Sequence, residues 1–475
     1  MKLFNTLSRT VEEFVPNEEG VVKFYTCGPT VYHYAHIGNI RNYIGHDVLD
    51  KTFRYLGYDV SRCMNITDVG HLTSDGDSGE DKMEVARKRE HKSAMEIAHF
   101  YTKAFFEDFE KVNCRVPDIV SPATSNIPMY IKIITKLLDD GFAYISGGNV
   151  YFDTSKLKDY YVLTNSKEDE LVVGAREGVL EDSNKKNQAD FVLWFTTSKF
   201  KNHELLWDSP WGKGYPGWHI ECSGISIKFL GEKLDIHGGG VDNIFPHHTN
   251  EIAQSESYLG HKWCNYWFHN EHLIDEGGKI SKSKGGILTV SVLEDEGYDP
   301  LAFRFMCLNS HYRKQLLFTY DNLKQAQDTL FKLRNKIRSI DKNGELQDKE
   351  INEYKNKFSS ELENDLNTSN AFSVLYEVLK DNNLNGNSKL YLINDFDSVL
   401  SLNLTKENPK KKVVVKEEVN EEKRVDDKFI EDKINERQKA KDNKNYQEAD
   451  KIRDELLSLG IKLIDTKEGT TYEKV

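Results

Sequence analysis

Residues 21–39 read VVKFYTCGPTVYHYAHIGN. Val21 to Cys27 is a short apolar run rich in strand formers, Gly28-Pro29 is a turn, and Gly38 to Leu56 has the spacing of a helix that Gly57 stops. A second strand pattern follows at Asp59 to Thr67. Strand, turn, long helix and strand in this order predict the first βαβ unit of a parallel nucleotide-binding sheet. His36-Ile37-Gly38-Asn39 stands where that helix begins, and a helix N-terminus offers unpaired N–H groups and partial positive charge to a phosphate. Gly38 permits close backbone approach, while His36 and Asn39 can donate hydrogen bonds to phosphate oxygens. Standing alone the tetrapeptide is an ordinary structural turn; its place between strand and helix is what points to a nucleotide.

Outward from this unit, residues 1–114 form the first half of a catalytic domain. Residues 115–200 loosen into a mixed region, with a polar stretch from Asn165 to Asp190, and read as an insertion. The catalytic domain resumes over 201–265, and a loop region occupies 266–300. Residues 301–404 have helical spacing, as in Leu301, Phe303, Phe305 and Met306, then Leu323, Leu330 and Leu333, and predict a helical bundle. Residues 405–428, dense in Lys and Glu without an aromatic, read as a linker. A small module over 429–475 follows, in which Ala449, Ile452, Leu456 and Leu459 recur at helical spacing, Gly460 stands as the C-terminal glycine, and Ile461 to Ile464 reads as a strand. The expected fold class is therefore α/β: a Rossmann-like parallel-sheet domain with an insertion, then an α-helical bundle and a small C-terminal module.

Composition bounds the function. The 475 residues suffice for roughly three domains, and the 38% hydrophobic and 30% charged residues describe a soluble globular protein. No apolar stretch approaches a membrane span, and Asn5, Arg9, Glu12 and Glu13 interrupt any signal-type start. Six scattered cysteines suit a reduced, cytoplasmic setting rather than a disulfide framework. The net charge of −13 argues against a protein held on nucleic acid by global electrostatics. From Ser401 onward, however, 18 basic residues balance 18 acidic ones, so the excess lies wholly in the first 400 residues.

Two further groups carry chemistry. Lys279-Ile280-Ser281-Lys282-Ser283, followed by Lys284-Gly285-Gly286, places ammonium groups on a Gly-flanked loop suited to clamp a polyphosphate; a solvated basic turn is the alternative. His247 and Glu251 sit four apart, on one face of a helix starting after Pro246. With Cys27 and Cys222 they make a plausible zinc set of two thiolates, one imidazole and one carboxylate. Buried structural cysteines are the alternative, and His219, His237 and His248 compete for the ligand role.

The stretches PWGKGYPGWHIECS at 210–223 and DIHGGGVDNIFPHHTNEIAQS at 235–255 are more specific. With the two motifs above and the ending AKDNKNYQEADKIRDELLSLGIKLIDTKEGTTY, they resemble the class I cysteinyl-tRNA synthetases from Cys27 to the C-terminus. The resemblance implies ligation of one zinc by Cys27, Cys222, His247 and Glu251, which would select cysteine over serine through its thiolate without editing. Trp218 walls the pocket for the substrate cysteine, and Thr67 and Asp68 lie at the next strand end, where ligands of such sheets bind, which puts Thr67 at the substrate. His36, Gly38, Asn39, Gly238, Gly239, Gly240, Asp242, Lys279 and Lys282 fall to magnesium-bound ATP, and His36, Asn39, Lys279 and Lys282 stabilise the phosphates during adenylate formation. Lys441, Asp450 and Asp465 match the positions that read the anticodon of tRNA(Cys), solvated surface charge being the alternative. A monomer without stable protein partners is implied.

The chain departs from the family pattern in places. Asn39 replaces a His, Ile280 a Met, Tyr215 an Arg, Phe195 a Lys and Gly286 an Asn; the last three put charge contacts, including any to tRNA, in question. Two other readings compete. A ligase joining activated cysteine to a sugar amine would share the chemistry but lack the tail module, and a non-catalytic zinc module binding RNA would not need Lys279, Lys282 and the GGG segment.

Overall fold

A computed structural model describes residues 1–69, 82–164, 182–196, 204–275, 278–279, 287–409, 427–442, 445–458, 461–466 and 469–474. They form two compact units, Met1–Lys412 and Val413–Val475.

The first unit is organised by five parallel strands: β1 (Val21–Thr26), β2 (Asp59–Ile66), β3 (Ile119–Pro122), β4 (Leu234–Gly240) and β5 (Cys264–Asn270). Their order across the sheet is β5-β4-β1-β2-β3. Strand pleating sends alternate residues to opposite faces. Phe24, Met64, Ile236 and Phe268 join one core with the helix α1 (Ile37–Tyr55), while Tyr25, Cys63 and Trp267 join another. A parallel sheet needs both faces covered. The helices α2 (Lys82–Glu90) and α3 (Ala94–Lys111) follow β2. The helices α4 (Ile127–Asp139), α5 (Trp218–Leu230) and α6 (Thr249–Leu259) bring Ile133, Ile225 and Ile252 to the second core.

The chain leaves β1 through the tight turn at Gly28, whose own N–H donates to Asn65 Oδ1 at 2.7 Å. A Cβ there would lie 1.6 Å from the Asn65 carbonyl oxygen, so the close approach of the two strand ends excludes any side chain. α1 begins with a reciprocal cap: His36 Nδ1 accepts from the Asn39 N–H, and Asn39 Oδ1 accepts from the His36 N–H, both at 3.2 Å. It ends before Gly57, which takes a φ of +92°.

β3 lies in the segment assigned to the insertion. A four-residue run carries no periodicity, and only its pairing with β2 reveals it as a sheet strand. The inserted layer is an antiparallel sheet of Ala143–Ser146, Asn149–Phe152, Phe191–Phe195 and Tyr215–Pro216, so its last strand lies beyond residue 200. Helices Pro300–Leu308, Tyr320–Arg338, Asp348–Glu363, Thr368–Lys380 and Gly386–Leu400 occupy the region of the expected bundle. They share one hydrophobic core with α1 rather than forming a separate one.

The second unit contains helices Asp427–Asp442 and Tyr446–Ser458 and a hairpin of Ile461–Thr466 with Gly469–Lys474. Ile430, Ile452, Leu456 and Ile461 form its core. The boundary at Lys412 falls inside the linker segment, Leu459 and Gly460 lie outside the described residues, and the second hairpin strand was not evident from sequence.

Candidate active site

In a doubly wound sheet, ligands settle beyond the carboxyl ends of the strands, where neighbouring strands send their chains in opposite directions. Here that place is the junction of β1 and β4. A cavity of about 260 Å³ opens there, lined by the loop from Cys27 to His36 after β1, Gly38 and Asn39 at the start of α1, Gly240 at the end of β4 with Asp242 and Asn243 beyond it, and Asn270 at the end of β5 with Glu271 to Leu273 beyond it. Trp218, at the start of α5, closes one wall.

His36, Gly38 and Asn39 all face this cavity. Their cap uses acceptor atoms, Nδ1 of His36 and Oδ1 of Asn39, so the Asn39 amide retains donor chemistry for an anion. Gly240 and Asp242 line the opposite side. Gly238 and Gly239 lie beneath it: a Cβ on Gly238 would come within 2.8 Å of the His46 ring, and one on Gly239 within 2.5 Å of the His248 ring. Packing under the strand thus demands these two glycines.

The four candidate ligands converge at the base. Cys27 directly follows β1 and also lines the cavity, Cys222 lies on α5, His247 lies in the turn Ile244–His248 that leads into α6, and Glu251 lies in α6's first turn. All four are buried, and their ligand atoms lie within 4.8 Å of one another. Cys27 Sγ is 3.8 Å from Cys222 Sγ and 3.9 Å from Glu251 Oε1. His247 Nε2 is 3.6 Å from Cys222 Sγ and 3.1 Å from Glu251 Oε1. A tetrahedral zinc with Zn–S near 2.3 Å and Zn–N/O near 2.1 Å has edges of about 3.8 Å between sulfurs, about 3.6 Å from sulfur to nitrogen or oxygen, and about 3.4 Å between the lighter atoms. The observed edges match within about 0.3 Å, so the donor set fits such an ion. Burial pushes both thiols up and Glu251 to about 8; a divalent cation supplies the charge that lets these groups ligate deprotonated.

His219, His237 and His248 surround this set. His219 Nδ1 lies 2.8 Å from His247 Nδ1, which leaves His247 Nε2 pointing to the ligand cluster. His237 Nε2 meets Glu251 Oε2 at 2.8 Å, and its ring stacks on Trp267. A chain runs from Thr6 Oγ1 to His269 Nδ1 at 2.7 Å, from His269 Nε2 to His248 Nδ1 at 2.8 Å, and from His248 Nε2 to Cys27 Sγ at 3.3 Å. Burial lowers His269 to about 3 and holds His248 well below the usual imidazole value. With neutral rings, donation from Thr6 onward leaves the last N–H directed at the Cys27 sulfur. Cys27, His237, His248 and Glu251 form a second possible metal group among the described residues; the first has two thiolates and four edges close to those of a tetrahedron.

Trp218 packs on His247 with ring centroids 4.5 Å apart, beside the ligands and in the cavity wall. Thr67 does not reach the cavity. Its hydroxyl donates to buried Glu221 Oε2 at 2.8 Å and accepts from Asn65 Nδ2, while its backbone pairs with Pro29 and Val31. Asp68 accepts from the backbone and hydroxyl of Thr124. Lys279 ends a short strand paired with Leu273–Asp275, whose Leu273 lies on the cavity rim. Lys282 and Gly286 lie outside the described residues.

Phe195 and Tyr215 are buried cross-strand partners in the inserted sheet, stacked at 4.9 Å with 20° between their planes. In the second unit, Lys441 is half-buried on its first helix, Asp450 is exposed on its second near Arg453, and Asp465 lies on the first hairpin strand. The sequence reading missed Tyr32, His33, Tyr34, Tyr101, Asn270, Glu271 and His272, all on the cavity wall. For the last three, position at or just past the end of a buried strand was an available signal.

Among the described residues, no helix is long and apolar enough to cross a membrane. A family model described as tRNA synthetases class I (C) catalytic domain matches residues 13–328, and a DALR domain matches 357–405. The chain is 45% identical to the cysteine–tRNA ligase of Treponema denticola, covering 100% of both sequences. It is 43% identical to that of Borreliella burgdorferi, over 100% of this chain and 99% of the relative. Among solved structures, Mycobacterium tuberculosis methionyl-tRNA synthetase in complex with methionyl-adenylate has a similar fold, with a TM-score of 0.56 at 12% identity, covering 80% of this chain and 90% of the other.

Proposed function

The chain belongs to the cysteine–tRNA ligase family of class I tRNA synthetases, and on that premise we propose that it activates L-cysteine with ATP and transfers it to the 3′-terminal ribose of tRNA(Cys). In the first step a carboxylate oxygen of cysteine attacks the α-phosphorus of magnesium-bound ATP. The bond from that phosphorus to the bridging oxygen breaks, and pyrophosphate leaves. The start of α1 with Asn39 and His36 receives phosphate oxygens at the cavity, and Lys279 and Lys282 offset their charge. Gly240 and Asp242 bound the nucleoside side, with Gly238 and Gly239 keeping the strand beneath it low. In the second step a terminal ribose hydroxyl attacks the activated carbonyl carbon, and AMP departs with the bonding electrons. Positioning and electrostatics suffice, without a protein nucleophile.

Cys27, Cys222, His247 and Glu251 would hold zinc, and a zinc ion in that place would offer a further coordination position to a substrate thiolate, which the harder hydroxyl of serine fills poorly. Trp218 walls the same end. Thr67 serves the substrate indirectly, by fixing the Pro29–Val31 backbone that forms the floor. Lys441, Asp450 and Asp465 remain our anticodon readers, because carboxylate and ammonium groups match the edges of unstacked bases.

The observation that carries this reading is the convergence of two thiolates, an imidazole and a carboxylate at the base of a cavity entered past a capped helix N-terminus. Its test is ATP–pyrophosphate exchange with zinc-loaded protein. Exchange dependent on cysteine and absent with serine is expected; equal exchange with both would overturn thiolate selection.

A further inference from the structure

Residues 82–92, KMEVARKREHK, hold five basic residues against two acidic ones in a chain of net charge −13. They form α2 and the turn into α3, which Ser93 caps. The side chains of Lys88, Arg89, His91 and Lys92 are exposed on this elbow. Glu90 takes up part of the charge, 2.6 Å from Arg89 and 3.8 Å from Lys92, and a basic excess remains.

The elbow is tied to the cavity. Arg89 Nη2 donates to the Tyr32 carbonyl and the Tyr101 hydroxyl, both at 3.2 Å. Tyr101 stacks on His33 at 5.7 Å and meets Tyr34 edge-on at 5.0 Å. Tyr32, His33, Tyr34 and Tyr101 all line the cavity. Beyond Tyr34, Phe100 follows at 6.0 Å, and Lys92 Nζ sits 5.0 Å from the centre of its ring. Tyr34 and Phe100 are 39% and 44% exposed. A series of rings thus leads from solvent, flanked by cations, to the reaction cavity.

Exposed rings beside ammonium groups suit an unpaired nucleic-acid strand, whose bases stack on aromatic faces while its phosphates meet the cations. Duplex RNA keeps its bases stacked within itself and cannot use them. An acidic peptide would use the cations but gives no reason for rings that continue into the cavity. We propose that the α2–α3 elbow is the landing platform for the unpaired 3′ strand of tRNA, with Phe100 and Tyr34 stacking its bases and Lys88 and Lys92 meeting its phosphates. The proposal rests on the tRNA-charging reading, because that strand's terminal hydroxyl must reach the cavity.

The test uses full-length, zinc-loaded enzyme, a tRNA(Cys) transcript, and cysteine-dependent pyrophosphate exchange measured without tRNA. Phe100→Ala is expected to leave exchange within about twofold of wild type and to lower kcat/KM for tRNA about tenfold or more, with recovery in Phe100→Trp. Lys88→Ala with Lys92→Ala should flatten the dependence of log KM for tRNA on log salt by roughly one unit or more. As an inhibitor, tRNA lacking its last four nucleotides should bind wild type more weakly than intact tRNA and should lose that difference with Phe100→Ala. An unchanged kcat/KM in Phe100→Ala, a parallel fall in exchange, or a truncation penalty that persists in the variant would overturn the platform. Wild-type enzyme that charges no tRNA would instead remove the reading beneath it.

Discussion

The Sγ atoms of Cys27 and Cys222 lie 3.8 Å apart across 195 residues of sequence, one at the end of β1 and the other on α5. That separation matches the sulfur–sulfur edge of a tetrahedral zinc site, about 3.8 Å. The parallel sheet brings the pair together: β1 ends beneath α5 on the face where Tyr25, Cys63 and Trp267 pack.

Cys222→Ser removes one of the two soft donors while keeping near-equal volume. Zinc affinity should fall by more than about 100-fold, beyond the effect typical of an outer-shell change, and preference for cysteine over serine should fall with it. Metal analysis after dialysis checks the first and pyrophosphate exchange the second. Full zinc retention would sink the ligand assignment.

His219→Ala tests support of the site without touching a donor. Loss of the 2.8 Å contact with His247 frees that ring to turn, and zinc affinity should drop about 10–100-fold with the fold retained. Competition against a chromophoric chelator, with circular dichroism as the folding control, measures both.

Lys282→Ala removes one ammonium of the proposed phosphate clamp. Exchange should slow by about 100–1,000-fold, the scale of losing one preorganised charge-stabilising group, while cysteine binding stays within about twofold. An unchanged exchange rate would take this lysine out of the mechanism.

Asp47 on α1 and Arg304 in the helical region are both buried and 2.7 Å apart. Burial works to raise the Asp47 carboxyl, but the charges of Arg304 and Lys51 outweigh it and hold it below the ordinary value. The resulting stability is fully present above about pH 4, the unfolded value, and is lost as pH falls through the lower folded value. Asp47→Asn strands a buried guanidinium and should cost about 3–5 kcal/mol at pH 7. Its stability should also vary less than that of wild type as pH falls below about 4, as read by denaturant unfolding.

The nucleotide-binding sheet was legible in residues 21–67 because a buried apolar strand, a Gly-Pro turn and a capped amphipathic helix each leave a local pattern. The ligand set could be chosen by donor chemistry, but its convergence depends on sheet order, which no spacing encodes. Thr67 was assigned to the substrate from its strand end, yet its hydroxyl points to Glu221; facing alternates residue by residue, so position along a strand does not decide it. Dense Lys and Glu concealed the start of the helix at Asp427. Phe195 and Tyr215 looked like two unrelated losses of charge. Paired across the inserted sheet, they form one stacked aromatic contact, a pairing that depends on sheet register rather than on local sequence.

The most direct measurement is charging of deacylated tRNA with labelled cysteine and ATP, with serine in parallel, by zinc-loaded enzyme and by enzyme stripped with a chelator and then reloaded. The account predicts charging with cysteine and none with serine, lost on stripping and restored by zinc. Cysteine-dependent pyrophosphate release without charged tRNA would contradict it in favour of transfer to a small amine. Undiminished, cysteine-specific charging by metal-free enzyme would contradict selection by a bound zinc.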